Sequence, residues 1–234
     1  MVSLSRLARC AGLLVDQVRT GGAKEAFGDV SRWAWSEDLA VGLQFDFGSD
    51  VADPPSSLVP LTAQLLTDEL APNVFDLTGL NSSDRLYLER RRSIWEAGFD
   101  GGWLAVDPEG EPAYLQWLIP GHQHEKVREF FGPIFGDVSA DTLVVEGAWV
   151  PPAFRKQKVM PAGLQAVTLA AGEANPDANF ALCYPAANNR GAVLGTRSSG
   201  YAVVAKRTET WRIGRRSFTF EPSDESGFSV FDPR

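Results

Sequence analysis

Glu146 is the single charge in LVVEGAWV, residues 143–150, an otherwise apolar run. A carboxylate buried in such a strand has to be paired or put to use, because an unpaired buried charge is costly. Just beyond it, Pro151 and Pro152 cannot continue a sheet ladder, Arg155, Lys156 and Lys158 form a basic turn, and a helix carries Ala162, Leu164, Ala166, Val167 and Leu169. Strand, basic turn and helix N-terminus together make an anion site, since first-turn N–H groups and the positive helix end favour phosphate. A basic turn is also an ordinary solvated loop, and spacing alone leaves both readings open.

Other reactive residue types are sparse. His122 and His124 in PGHQHEK would hold a metal only if a carboxylate converged on them. Solvated loop positions are the expectation, and no metal is expected. Cys10 and Cys183 stand far apart with no second thiol nearby, which fits packed thiols rather than a disulfide framework or a zinc motif. Trp103, Trp117, Trp149 and Tyr114 would line a ligand pocket, but at strand spacing aromatics are more often core. Lys206, Arg207, Arg212, Arg215 and Arg216 read as a solvated hairpin face, with a docking patch for an acidic partner as the alternative.

The elements that must position these groups follow from periodicity. Residues 3–19 place Leu4, Leu7, Ala8, Ala11, Leu14, Val15 and Val18 on one helical stripe, ended by Gly21 and Gly22. A second short helix is expected over 23–34 and a strand over 39–47. The Gly-, Pro-, Asp- and Ser-rich stretch 48–57 reads as a linker, which sets an N-terminal helix-strand extension, residues 1–52, before a main domain, residues 53–234. In that domain the pattern predicts a strand near 57–67 and one or two helices over 68–98, with Ser82 or Ser83 as a cap and Arg90–Arg92 as a solvated edge. A hairpin around Asp107–Gly110 follows, then a helix at 124–131, a strand at 141–150 and a helix at about 156–173. Last come a strand at NFALCYP, a helix near 188–198 and strands YAVVAKRTET and RRSFTFEP. That order predicts an α/β fold, a mixed sheet with helices on its faces.

Composition bounds the partners. With 44% hydrophobic residues among 234 there is ample material for a core, so disorder is not expected. Lys plus Arg number 22 against 30 Asp plus Glu, a formal charge of −8, opposite to what phosphate neutralisation needs, so nucleic acid is not the default partner. No stretch approaches the roughly 18 apolar residues of a membrane span, and the N-terminus lacks secretory grammar. A soluble, cytoplasmic protein is the expectation, with no membrane partner.

Two segments carry a resemblance. VPPAFR, residues 150–155, is similar to the approach to the pyrophosphate turn of the GCN5-related N-acetyltransferase superfamily, with Arg155 leading the family's Arg/Gln-x-x-Gly-x-Gly/Ala pattern. Lys158 and Met160 stand where the family has glycines. NRGAVLGTRSSGY, residues 189–201, resembles the family's Asn-x-x-Ala/Ser segment, with Asn189, Ala192, Gly200 and Tyr201 in register and Thr196 where a tyrosine acid is common. The resemblance runs over about residues 57–220. It implies a mixed, mostly antiparallel sheet flanked by helices, and attack of an amine on the thioester of acetyl-CoA or another acyl-CoA. It implies Glu146 as general base, shared with the reading of a structural partner for a nearby Arg, and Thr196 as a weak donor. It further implies that Ala148, Trp149 and Val150 meet the pantetheine arm. The pyrophosphate would fall to Arg155, Lys156, Gln157, Lys158, Val159 and Met160, and Asn189 joins the cofactor contacts.

The first functional expectation is an acyl-CoA-dependent N-acyltransferase for a small-molecule amine. Two alternatives stand beside it: a donor carried on an acyl carrier protein or aminoacyl-tRNA, which the missing glycines motivate, and a non-catalytic binding module of the same fold. Residues 1–50 could cover a sheet edge, join the acceptor site or form a homodimer contact.

Overall fold

The computed structural model describes residues 35–50 and 53–223. The helices expected over 3–19 and 23–34, and Cys10, lie outside them. Eight strands form one sheet: β1 (Trp35–Asp46), β2 (Thr62–Leu65), β3 (Gly102–Val106), β4 (Pro112–Ile119), β5 (Thr142–Trp149), β6 (Phe180–Cys183), β7 (Ala202–Arg212) and β8 (Arg215–Pro222), in the order β2-β3-β4-β5-β6-β1-β7-β8. The helices are α1 (Ala71–Val74), α2 (Ser82–Glu96), α3 (His124–Phe131), α4 (Val159–Ala174) and α5 (Arg190–Ser198). β2, β3, β4 and β5 pair antiparallel in turn, β5 and β6 pair parallel, and β6 pairs antiparallel with β1. The sheet is therefore mixed and mostly antiparallel, as the element order predicts.

β1 is the departure from the expected layout. The sequence places it in an extension ahead of the linker, yet Leu43 faces Cys183 and Asp46 faces Phe180, so it sits inside the sheet between β6 and β7. The physical reason is burial on both faces: Ala40, Val41, Leu43 and Phe45 are all buried. Such a strand needs neighbours on either side, because unpaired edge groups beside apolar side chains are unfavourable. The described residues divide into two compact units, 40–207 with 220–223, and 35–39 with 208–219.

Within the larger unit, alternation along β4 sorts side chains between two layers. Tyr114 and Leu118 belong to one core with Leu143, Val145 and, from α4, Val159, Leu164 and Val167. Leu115, Trp117 and Ile119 belong to the other, with Leu88 and Ile94 of α2 and Val127 of α3. Covered on both faces, β4 reads as a mostly apolar run, broken by Gln116, rather than an alternating one. The β3–β4 turn closes on Asp107, whose Oδ1 accepts from the amides of Glu109 and Glu111 at 3.0 and 2.8 Å. Helix α2 starts one residue earlier than expected: Asn81, not Ser82 or Ser83, accepts the Asp84 amide at 2.9 Å, from an extended backbone at ψ 167°.

Candidate active site

Glu146 sits where the sheet loses its regularity. β4 and β5 pair Trp117 with Glu146 and Leu115 with Trp149, so one extra residue of β5 bulges opposite Gln116. Gly147 supplies the bend with φ 77°, and a Cβ there would stand 2.8 Å from the Trp117 ring. On the other side, the parallel ladder with β6 ends at the Val144–Leu182 pair, whereas β5 runs on to Trp149. The bulge bends β5 while β6 ends, so the stretch from Val145 onward has lost its β6 partner.

Three side chains hold this bulge. Tyr114 donates to Gln116 Oε1 at 2.6 Å, and Gln116 Nε2 donates to the Glu146 carbonyl. From α2, Arg91 Nε donates to the Ala148 carbonyl at 3.2 Å and its guanidinium lies 4.4 Å from the Tyr87 ring. Arg91 is thus half-buried and engaged, not part of the solvated edge expected for Arg90–Arg92. Burial pulls its pKa below the usual guanidinium value, opposed first by the negative charge of Glu146. The half-buried Glu146 carboxylate has no hydrogen-bonding or ion-pairing partner among the described residues. Burial raises the pKa of Tyr114 and of Cys183, with Glu146 adding to the shift at Cys183.

The turn after β5 differs in detail from the pattern read in sequence. Lys156 and Lys158 both take left-handed backbone conformations, φ 64° and 58°, the shape glycine adopts most readily. Lys158 also occupies the N-cap of α4 without a side-chain cap, so the amides of Val159 and Met160 are left open, and Pro161 contributes none. The Arg155 fork is turned elsewhere. It grips buried Asp84 through two bonds of 3.1 and 2.6 Å, donates to the Val150 carbonyl at 3.2 Å and lies 5.1 Å from the Trp149 ring. The Arg155 hydrogen bond, with Asn81 assisting, holds the Asp84 pKa below the ordinary carboxylate value. Gln157 donates to the Ala153 carbonyl at 2.7 Å. Trp149 itself is buried and stacks on Tyr87, with ring centroids 6.4 Å apart.

Of the α5 residues, Asn189 caps the helix, accepting the Ala192 amide at 3.2 Å, and Thr196 is buried. Among the described residues no cluster of three or more His, Cys, Asp or Glu could hold a metal; His122 meets Asp100 at 3.3 Å and His124 the Thr142 carbonyl at 3.0 Å. Trp103, Trp117 and Tyr114 are core. Of the C-terminal cations, Lys206 pairs with Glu221 at 3.8 Å, Arg207 donates to the Ile134 carbonyl at 2.8 Å and Arg216 grips Glu209 at 2.7 and 3.1 Å, a hairpin engaged with its own neighbours. No described helix is long and apolar enough to cross a membrane. Arg91, Gln116 and Asp84 are the site residues that sequence reasoning missed. Arg91 and Asp84 repeat at helical spacing toward β5, the one signal available for them.

No family model matches the chain, and no curated protein does. Solved structures do. The chain is similar to a GNAT-family acetyltransferase from Colwellia psychrerythraea (12% identity, 82% of this chain and 62% of that one, TM-score 0.49). It is also similar to a GCN5-related N-acetyltransferase from Sphaerobacter thermophilus (13%, 89% and 60%, TM-score 0.48). The glucosamine N-acetyltransferase region of a fungal multi-domain GH3 β-N-acetylglucosaminidase superposes with a TM-score of 0.55 at 13% identity, over 80% of this chain and 22% of that one. The chain thus spans about three fifths of the first two proteins' length and about a fifth of the third's. With its mixed sheet, flanking helices and bulged central strand, this is a divergent protein of the GCN5-related N-acetyltransferase fold.

Proposed function

We propose that the chain moves an acyl group from a CoA thioester to the nitrogen of a small-molecule amine. The observation that carries this reading is the early end of the β5–β6 ladder, which opens β5 from Glu146 to the turn before α4. A gap between two strands offers a slender thioester arm the edge of β5 that β6 leaves uncovered, at Ala148, Trp149 and Val150; the Ala148 and Val150 carbonyls on this stretch already accept from Arg91 and Arg155. Acetyl-CoA or another acyl-CoA would bring the activated carbonyl. The left-handed backbones of Lys156 and Lys158 fit its diphosphate, since the turn has the shape glycines would give it, and their ammonium groups add charge beside the open amides of Val159 and Met160. Glu146 takes the proton as the amine nitrogen bonds to the carbonyl carbon. The C–S bond then breaks and the thiolate departs, and in this reading the Thr196 hydroxyl on α5 donates toward it. Gln116 and Arg91 hold the bulge that presents Glu146.

Thermal unfolding with CoA and acetyl-CoA tests the donor. At about one hundred times the dissociation constant a ligand adds roughly 2.7 kcal/mol, about 5 to 10 °C in midpoint for a chain of this size. No shift with either, together with no acyl transfer to a panel of amines, overturns the reading. A second reading, an acyl group delivered on a carrier protein, is favoured by one observation: Arg155 is spent on Asp84 and Pro161 has no N–H, which leaves the diphosphate few donors. Binding of a holo carrier protein without binding of free CoA selects it.

A further inference from the structure

A cavity of about 240 Å³ opens at the end of β5, between the α1–α2 connection and the start of β4. Its walls are apolar, with Val74, Leu88, Leu115, Trp149 and Phe154 among them. Its only charged lining residues are Asp76 and Glu111, both exposed and therefore at the rim, with Asn73 beside them. The Thr78 side chain and amide, the latter at 2.9 Å from Asp76 Oδ1, hold the Asp76 pKa below its ordinary value. Glu111 has no side-chain partner among the described residues.

We propose that this cavity binds a small organic cation: a ring-sized apolar body inside, and an ammonium group at the mouth between Asp76 and Glu111. Volume sets the size of the body. An apolar cavity of roughly 150 Å³ holds a benzene ring, so this one takes a ring with a short side chain and little more. Charge sets the sign, because the walls supply no cation to neutralise a carboxylate or phosphate, while two carboxylates at one mouth suit an ammonium. Tyr114 lines the cavity and also donates to Gln116, whose Nε2 donates to the Glu146 carbonyl.

Calorimetric titration of the full chain, without any acyl donor, tests this with 2-phenylethylammonium, 2-phenylethanol and 3-phenylpropionate. The ammonium is expected to bind at least tenfold tighter than either of the others. Ala153→Trp, which fills the cavity from an exposed position, and the double variant Asp76→Asn with Glu111→Gln are each expected to weaken it tenfold or more with the unfolding midpoint preserved. No binding of the ammonium, equal binding of the carboxylate or the alcohol, or affinity untouched by both variants overturns the proposal. The outcome is separable from the transfer reading. A chain that binds the amine but never acylates it keeps this site and loses that reaction, and a chain that acylates amines but shows no calorimetric binding of the ammonium does the reverse.

Discussion

Glu146 and Asp84 are both carboxylates on the α2 side of β5, and their surroundings assign them opposite work. Asp84 is gripped by Arg155; Glu146 is left open beside Arg91. If Glu146 is the general base of the proposed transfer, Glu146→Gln is expected to reduce kcat by about 10²–10⁴-fold, with an unfolding midpoint within about 2 °C of the parent. For Asp84 the sign runs through pH. Its depressed folded pKa means that its stabilisation is fully present above the unfolded value of about 3.9 and is lost as pH falls through the lower folded value. Asp84→Asn is expected to lower the midpoint at pH 7, and the gap to the parent should close as the solution is acidified below about pH 4. A gap unchanged down to pH 2 would place the effect elsewhere. Little of this pairing was legible beforehand. Glu146 stands out because its neighbours are apolar, but the Arg155 fork points away from the turn it leads, and only the distance to a helix 71 residues upstream reveals it.

At the scale of elements, local grammar carried far. The Asp107–Gly110 hairpin and the helix expected near 188–198 form where turn residues and periodicity put them, because Asp107 and Asn189 fix their starts through side-chain bonds to amides within four residues; the helix at 124–131 forms in its expected place without a side-chain cap. Non-local features escaped. The bulge at Gly147 depends on Trp117 across the ladder, and Arg91 reaches strand β5 as well as Tyr87 of its own helix. The α2 cap lay one residue from its expected place because Asn81, unlike Ser82, has the extended backbone a cap requires. Asn81→Ala is expected to cost about 1 kcal/mol, a fall of roughly 2–4 °C in midpoint. At the head of α4, Lys158→Gly should raise the midpoint or leave it unchanged, whereas Lys158→Val should lower it, since a β-branched residue resists φ 58°. Equal effects from the two would show that the turn relaxes to a right-handed shape.

For the whole molecule, several buried hydroxyl and thiol groups share one electrostatic fate. Burial raises the pKa of Tyr114, Tyr201 and Cys183, so each stays neutral in the folded protein at pH values where the unfolded chain ionises. Their contribution is fully present below the unfolded values and is lost as pH rises past about 8.5 for the thiol and about 10 for the phenols. Stability is accordingly expected to fall steadily from about pH 8.5 upward in urea titrations. In a Cys10→Ser background, a thiol reagent should label Cys183 only as fast as the protein opens. Labelling that outpaces unfolding would mean that Cys183 is reached from the folded state.

The position of β1 has a consequence in time as well as in space. Leu43 meets Cys183 across 140 residues, so a ribosome adding about 5–20 residues per second delivers β6 roughly 7–28 s after β1. Through that interval an apolar strand destined for the middle of the sheet has neither of its partners, and closing so long a loop belongs to the slow class of folding events. A nascent chain halted before residue 180 would carry a sticky, unclaimed strand at its start, and chaperone occupancy on such stalled chains should drop once β6 clears the exit tunnel.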